Sequence, residues 1–322
     1  MFYKIYHDTI PPYLLEIMNT NIFTRLKDIG MNCGMEYTQF QTFKNSFGVS
    51  RYDHSIGVSF ITYHFTHDKH ATVAALLHDI ATPVFAHVID FLNNDYEKQE
   101  STEAETKKMI FNSRELQKIF LKYEIDINLI YDYHKYPIAD NESPKLSADR
   151  LEYTLANAYY YNFLSVEQIK SIYYDLIIND KKDEIIFKSK DKAIMLTKVM
   201  FQCSRVYTSD ENRYCMEYLA NLLKTALTKK LITQDDLYTN ESSVIKNICK
   251  DKELSDKWDA FCHFHQVDIS HNKKAGYYKI NAKHRYFNPM IGNQRIINQS
   301  PKFKSELNSF LGDHFDRYVK VT

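Results

Sequence analysis

Residues 73–80 read VAALLHDI, an uninterrupted apolar run that ends in a histidine and an aspartate. Five consecutive apolar side chains ask to be covered on all sides, and the two polar groups follow them into that interior. An imidazole and a carboxylate withdrawn from water without partners are costly, so the fold must bring hydrogen-bonding groups or a cation to His78 and Asp79. A second His-Asp pair, His67-Asp68, sits in the polar stretch HFTHDKH. A solvated loop or a helix cap accounts for it, and no function is assigned to it.

Two other segments offer side chains of matching chemistry. SRYDHSIGV places His54 at the mouth of a helix, and LSADRLEYTLAN places Asp149 inside one. With His78 and Asp79 these make four nitrogen and oxygen donors for one divalent cation. Imidazole plus carboxylate suits Mn, Fe, Co, Ni or Zn, and Mg less naturally, with positions left for water and substrate. Arg51 precedes His54 by three residues and Arg150 follows Asp149 directly, and guanidinium forks match phosphate oxygens. Arg150, Tyr153 and Asn157 share one helix face and are expected to line a substrate pocket.

Apolar periodicity predicts helices over 11–29, 55–65, 71–79, 84–92, 100–123, 146–161, 165–178, 191–207 and 212–229. The aromatic run Tyr159, Tyr160 and Tyr161 is read as core. After about residue 272 the texture changes to GYYKINAKHRYFNPMI, whose alternation predicts strands of a small sheet. With only 7 Gly and 7 Pro in 322 residues, the expected fold is mostly α with a small C-terminal β element. Residues 1–237 are expected to form the main domain and 238–322 an α/β appendage.

Lys plus Arg balance Asp plus Glu at 41 each, which argues against a general nucleic-acid binder. Residues 272–322 nevertheless hold ten Lys/Arg against three Asp/Glu. An exposed sheet edge guarded by lysines is the preferred reading of this basic tail over a polyanion site. The 5 cysteines are scattered without a framework spacing, so reduced thiols in a cytoplasm are expected. Neither a signal peptide nor an apolar span of membrane length is legible, so no membrane association is expected.

The blocks FTRLKDIG, SRYDHSIGV, AALLHDIATPVFAHVIDF, SADRLEYTLAN and MFQCSRVYTSDENRYCMEYLANLL, in this order, resemble the HD-domain phosphohydrolases. Within them the resemblance is to the deoxynucleoside triphosphate triphosphohydrolases, and AKHRYFNPMI is similar to the tail of bacterial members. It runs from about residue 23 to 237 and implies an HD-domain helical bundle. It makes His54, His78, Asp79 and Asp149 the metal ligands and Arg51 and Arg150 phosphate contacts. Tyr153 and Asn157 would approach the sugar, and Arg205 with Tyr207 and the segment that follows would approach substrate from a later helix.

The chain departs from the family in two places. Where G-H-G-P-F-S-H is usual after the His-Asp pair, it reads ATPVFAH, retaining His87 but replacing the first histidine and its following glycine with Thr82 and Pro83. The family's His-Glu pair stands here as Gln99-Glu100. Glutamine cannot transfer a proton, so His87 or Glu100 is expected as the acid or base.

The resemblance implies hydrolysis of a nucleotide, with release of nucleoside and triphosphate. A phosphodiesterase acting on a cyclic or signalling nucleotide or a nucleic-acid end is the alternative enzyme. A nucleotide-sensing module that has lost turnover is the alternative binding protein. The expected partners are a small nucleotide, one divalent ion such as manganese, and further copies of the chain in a homo-oligomer.

Overall fold

A computed structural model of the chain describes residues 2–92 and 103–322. Its architecture is a bundle of α-helices with two small sheets. The helix Arg51–Thr66 is central: Arg51 and every residue from His54 to Thr62 are buried, as expected of a helix wrapped by neighbours rather than one with a single apolar stripe. The helices Lys69–Leu77 and Ala148–Tyr160 pack against it. Ile56, Phe60, Ile61, Val73, Leu76, Leu77, Leu151 and Leu155 form the shared core, each almost fully removed from solvent. Burial of one such side chain stabilises the fold by about 1.5–3 kcal/mol relative to exposure.

Each of these helices starts at a side-chain cap, which satisfies backbone N–H groups that have no partner within the helix. Ser50 accepts from the Asp53 amide, Asp68 from the His70 and Ala71 amides, and Ser147 from the Arg150 amide. His67-Asp68 is therefore a junction, with His67 closing one helix in the left-handed region (φ 49°) and Asp68 opening the next.

Several boundaries differ from the sequence expectation. The stretch 11–29 is not one helix but Pro12–Met18, Asn21–Thr24 and a 3-10 turn, Arg25–Asp28. At the break Asn19 Nδ2 donates to the Leu15 carbonyl and Thr20 Oγ1 to that of Ile17, local bonds that compete with helix continuation. Ser113 caps a new helix, Arg114–Lys122, and so divides the 100–123 stretch. The helix expected over 165–178 stops at Tyr173, and Leu176–Ile178 turns into a strand antiparallel to Ile185–Phe187.

The tail departs most. Of 276–289, only Tyr278 is bridged to a strand, at Val319, and a helix unforeseen by the alternating pattern occupies Pro301–Leu311. The strands lie elsewhere. Met290–Ile291 pairs with Gln294–Arg295 and, in parallel, with Ile185–Phe187, while Val267–Ser270 pairs with Tyr318–Val321.

Contacts cross residue 237 repeatedly. The buried Glu241 carboxylate accepts from the amides of Gly30 and Phe85 and from the Tyr37 hydroxyl. Of the aromatic run, Tyr161 is core and donates to Asn32, whereas Tyr159 is exposed. No helix among the described residues is long and apolar enough to cross a membrane.

Candidate metal centre

The first turn of Arg51–Thr66, the end of Lys69–Leu77 and the first turn of Ala148–Tyr160 converge on one point. His54 Nε2 lies 3.1 Å from Asp149 Oδ1, and His78 Nε2 lies 3.9 Å from the same oxygen. Asp79 Oδ2 is 3.6 Å from His78 Nε2 and 3.9 Å from His54 Nε2. Metal bonds to such donors are about 2.0–2.2 Å, so donors roughly 3–4 Å apart can share one ion. The ligand atoms of His54, His78 and Asp149 all lie within 4.8 Å of one another and form a group that can hold a metal ion.

The surroundings fit that role. His54 Nδ1 is 2.5 Å from the buried Glu152 Oε2, and His78 Nδ1 is 2.7 Å from the Ala75 carbonyl. Both rings are thereby held as Nδ1–H tautomers with Nε2 aimed inward, the usual outer bond of a metal-bound histidine. Burial alone would lower the His54 pKa, but the Asp149 and Glu152 carboxylates push it up to about 10. Burial would raise Asp149, yet His54 brings it down to about 2. Positive charge is what this cluster demands, as a proton or as a cation.

The two arginines expected to hold phosphate both line the cavity at the centre, and each is also engaged by protein groups. Arg51 donates to Asp79 Oδ2 at 3.0 Å, and Thr82 donates to Oδ1 at 2.9 Å. The Arg51 charge holds the Asp79 carboxyl well below the ordinary range against the opposing effect of burial. Arg150 binds the Asn141 side chain and carbonyl, Ser147 Oγ and Asp140. Its fork thus fastens the 140–147 loop onto the Asp149 helix.

Above the centre is a cavity of about 350 Å³. Arg150, Tyr153, Asn157 and Tyr207 line it, and Asn157 Nδ2 donates to the Tyr207 hydroxyl at 2.8 Å. Arg205 does not. It points away, with its side chain half exposed, and pairs with Glu306 at 3.2 Å. Arg213, one helix later, reaches the cavity instead, held by Asp210 and by the Ile280 carbonyl.

His87 also lines the cavity, though not from a helix, because Val88–Leu92 begins after it. Phe85 and Ala86 before it have φ of 57° and 47°. That conformation is strained for residues other than glycine, by about 1–3 kcal/mol each, and is kept only where the surroundings impose it. Here the Phe85 amide is fixed by Glu241 and the Val84 amide by the Leu237 carbonyl. His87 Nδ1 is 2.9 Å from the fully buried Asp90, and Arg285 approaches Nε2 at 3.3 Å. Burial lowers the His87 pKa, outweighing Asp90. Glu100 and Gln99 lie outside the described residues.

The tail supplies what sequence reasoning missed. Ala282, Lys283 and Arg285 line the cavity, so this basic segment is not a sheet edge. It is tied down where the Tyr286 carbonyl accepts from Ser143, the Arg285 carbonyl accepts from Ser204, and the Asn288 amide donates to the Pro144 carbonyl. Asp90, Glu152, His134 and Asp140 were missed as well. The only signal for Asp90 and Glu152 was their spacing of three from His87 and from Asp149.

Residues 51–158 match the HD domain family. A protein described as uncharacterized, YdhJ of Bacillus subtilis, is 28% identical over 201 residues, 61% of this chain and 60% of that protein. The metal-dependent phosphohydrolase cns2 of Cordyceps militaris is 28% identical over 161 residues, 50% of this chain and 45% of its own length. The matches thus span about half to three fifths of these curated relatives.

The crystal structure of a phosphohydrolase from Bacteroides thetaiotaomicron superposes with a TM-score of 0.67 over 97% of this chain and 96% of its own, at 14% identity. A hypothetical protein from Aquifex aeolicus gives 0.67 over 92% and 90%, at 16% identity. At such identities the two structures speak for the fold alone. The match to the HD domain family covers the segment that carries His54, His78, Asp79 and Asp149, so it is this part of the chain, residues 51–158, that is similar to the HD-domain proteins.

Proposed function

We propose that this chain is a metal-dependent phosphohydrolase that cleaves a phosphoester of a small nucleotide. In the triphosphohydrolase manner, the products are a nucleoside and triphosphate. The observation that carries this reading is the convergence of two imidazole Nε2 atoms and the Asp149 carboxylate at the base of a cavity, with both Nδ1 atoms bonded outward. The curated relative named as a metal-dependent phosphohydrolase supports it.

His54, His78, Asp79 and Asp149 hold the cation. When bound, it supplies Lewis acidity to a phosphoryl oxygen and acidifies water. Asp79 accepts from Arg51 and Thr82 and so keeps one orientation. Lys283, Arg285 and Arg213 bring positive charge to the cavity wall, where they offset charge on the phosphate chain. Tyr153, Asn157 and Tyr207 shape the part that receives the sugar. His87, with Nδ1 bonded to Asp90, acts as the proton acceptor through Nε2 once Arg285, which meets that atom at 3.3 Å, turns to the phosphate.

The deciding experiment is product analysis. Purified protein is incubated with deoxynucleoside triphosphates, ribonucleoside triphosphates, cyclic nucleotides and short DNA ends in the presence of Mn, Co or Mg. Nucleoside plus triphosphate is the expected pair of products. A monophosphate product would turn the reading to a phosphodiesterase, and no turnover on any phosphoester would overturn it.

A further inference from the structure

A second histidine–aspartate pair lines the same cavity as His87. The 3-10 turn Tyr133–Lys135 places His134 on the cavity lining, and its Nδ1 lies 3.0 Å from Asp140 Oδ2. Asp140 is buried, and its other oxygen meets Arg150 at 3.2 Å and Ser147 Oγ at 3.3 Å. The carboxylate is therefore fixed before anything binds.

His134 is positioned from three directions. Its amide donates to Asp132, its ring packs on Tyr133 with centroids 4.4 Å apart, and Tyr133 packs in turn on His78 at 5.0 Å. His134 stands on a turn at the cavity lining. Its ring is half exposed, so little core stability depends on it.

We propose that His134 is a catalytic residue, the proton donor to the leaving oxygen, and that Asp140 is its positioning residue. The inference rests on the phosphohydrolase reading above. Asp140 accepts from Nδ1–H and balances the charge of the imidazolium, and Nε2–H is the proton to be given.

The step balances. As water attacks phosphorus a new P–O bond forms, and the bond to the leaving oxygen breaks with its electron pair on that oxygen. The leaving oxygen takes the proton from His134 Nε2, and the attacking water gives one to His87 Nε2. The two imidazoles regain their starting states through solvent. An alkoxide such as a nucleoside 5′-oxygen leaves poorly without a proton, so a donor at this rim has the most to contribute for that class of substrate.

The test compares leaving groups. Metal-loaded wild-type protein and His134→Ala are assayed on two esters of one nucleotide, a 4-nitrophenyl ester, whose phenolate departs unprotonated, and an alkyl ester. The expected loss is about 10²- to 10⁴-fold in kcat on the alkyl ester and less than about tenfold on the 4-nitrophenyl ester. Metal content and the Kd of a non-hydrolysable phosphonate analogue stay at wild-type values, and added imidazole restores part of the alkyl activity. Asp140→Asn shows the same leaving-group pattern in weaker form.

Equal losses on both esters, or none on either, overturn the assignment to His134. The phosphohydrolase reading stands in that case as long as the wild type turns over and His78→Ala does not. A wild type inert on both esters overturns the two together.

Discussion

Glu152 Oε2 reaches His54 Nδ1 at 2.5 Å because residue 57, one helical turn after His54, has no side chain. A Cβ at Gly57 would lie 2.6 Å from both Glu152 Cγ and Oε1. The glycine in SRYDHSIGV is there for this approach, so one residue on each of two helices sets the orientation of a metal-site histidine.

Glu152→Gln and Gly57→Ala are therefore expected to weaken metal binding by about 10- to 100-fold, the usual effect of losing such an outer bond. Titration of apo-protein with Co, followed by absorbance, measures it. Wild-type affinity in both variants would show that the contact does not tune the site.

The two arginines nearest Asp149 and His54 in sequence are expected to behave differently from Arg285. Arg150→Ala unfastens the 140–147 loop and lowers stability by about 1–3 kcal/mol, as for buried polar groups left unpaired. Arg285→Ala lowers kcat/KM by about 10²-fold with little change in melting temperature, the cost of a lost charge-assisted contact. Calorimetry and steady-state kinetics on the pair separate the roles, and the reverse pattern would return phosphate binding to Arg150.

Glu36 gives a pH signature away from the site. Burial, with the Glu241 charge adding to it, pushes the Glu36 carboxyl up to about 8 from an ordinary 4.5. The folded state thus keeps a proton that the unfolded state releases. The stabilisation is complete below the unfolded value and is lost as pH rises towards the folded one. Melting temperature is expected to fall between pH 5 and 8 and to fall less in Glu36→Gln. An equal slope in wild type and variant would contradict it.

The cluster of His54, His78, Asp79 and Asp149 was legible because each polar group stood where a helix had to be buried. The run ending in His78 and Asp79 could not be covered without a partner, and His54 and Asp149 were the matching donors. The supporting residues were not legible, because their meaning lies in distant partners. Glu152 meets His54 across 98 positions and Arg285 meets His87 across 198, and no local pattern encodes either pairing. Adjacency to Asp149 placed Arg150 on the cavity lining, but it did not foretell that the same side chain would also tie Asn141, Ser147 and Asp140. The tail misled for a related reason: GYYKINAKHRYF alternates like a strand, yet within it only Tyr278 is bridged to one, and Ala282, Lys283 and Arg285 line the cavity.

The protonation state of His87 follows from burial together with the nearby Arg285 and Arg51 charges, which lower its pKa against Asp90. His87→Gln is expected to lower kcat by about 10²- to 10⁴-fold while metal stays bound. Metal analysis alongside turnover checks it, and wild-type kcat would remove His87 from proton transfer.

The central claim is that His54, His78, Asp79 and Asp149 hold a catalytic cation, and elemental analysis of purified protein tests it most directly. Wild type is expected to carry about one first-row divalent ion per chain and His78→Ala/Asp149→Ala essentially none, with phosphoester turnover lost in parallel. Full metal occupancy in the double variant, or turnover that survives without the ion, would contradict the account.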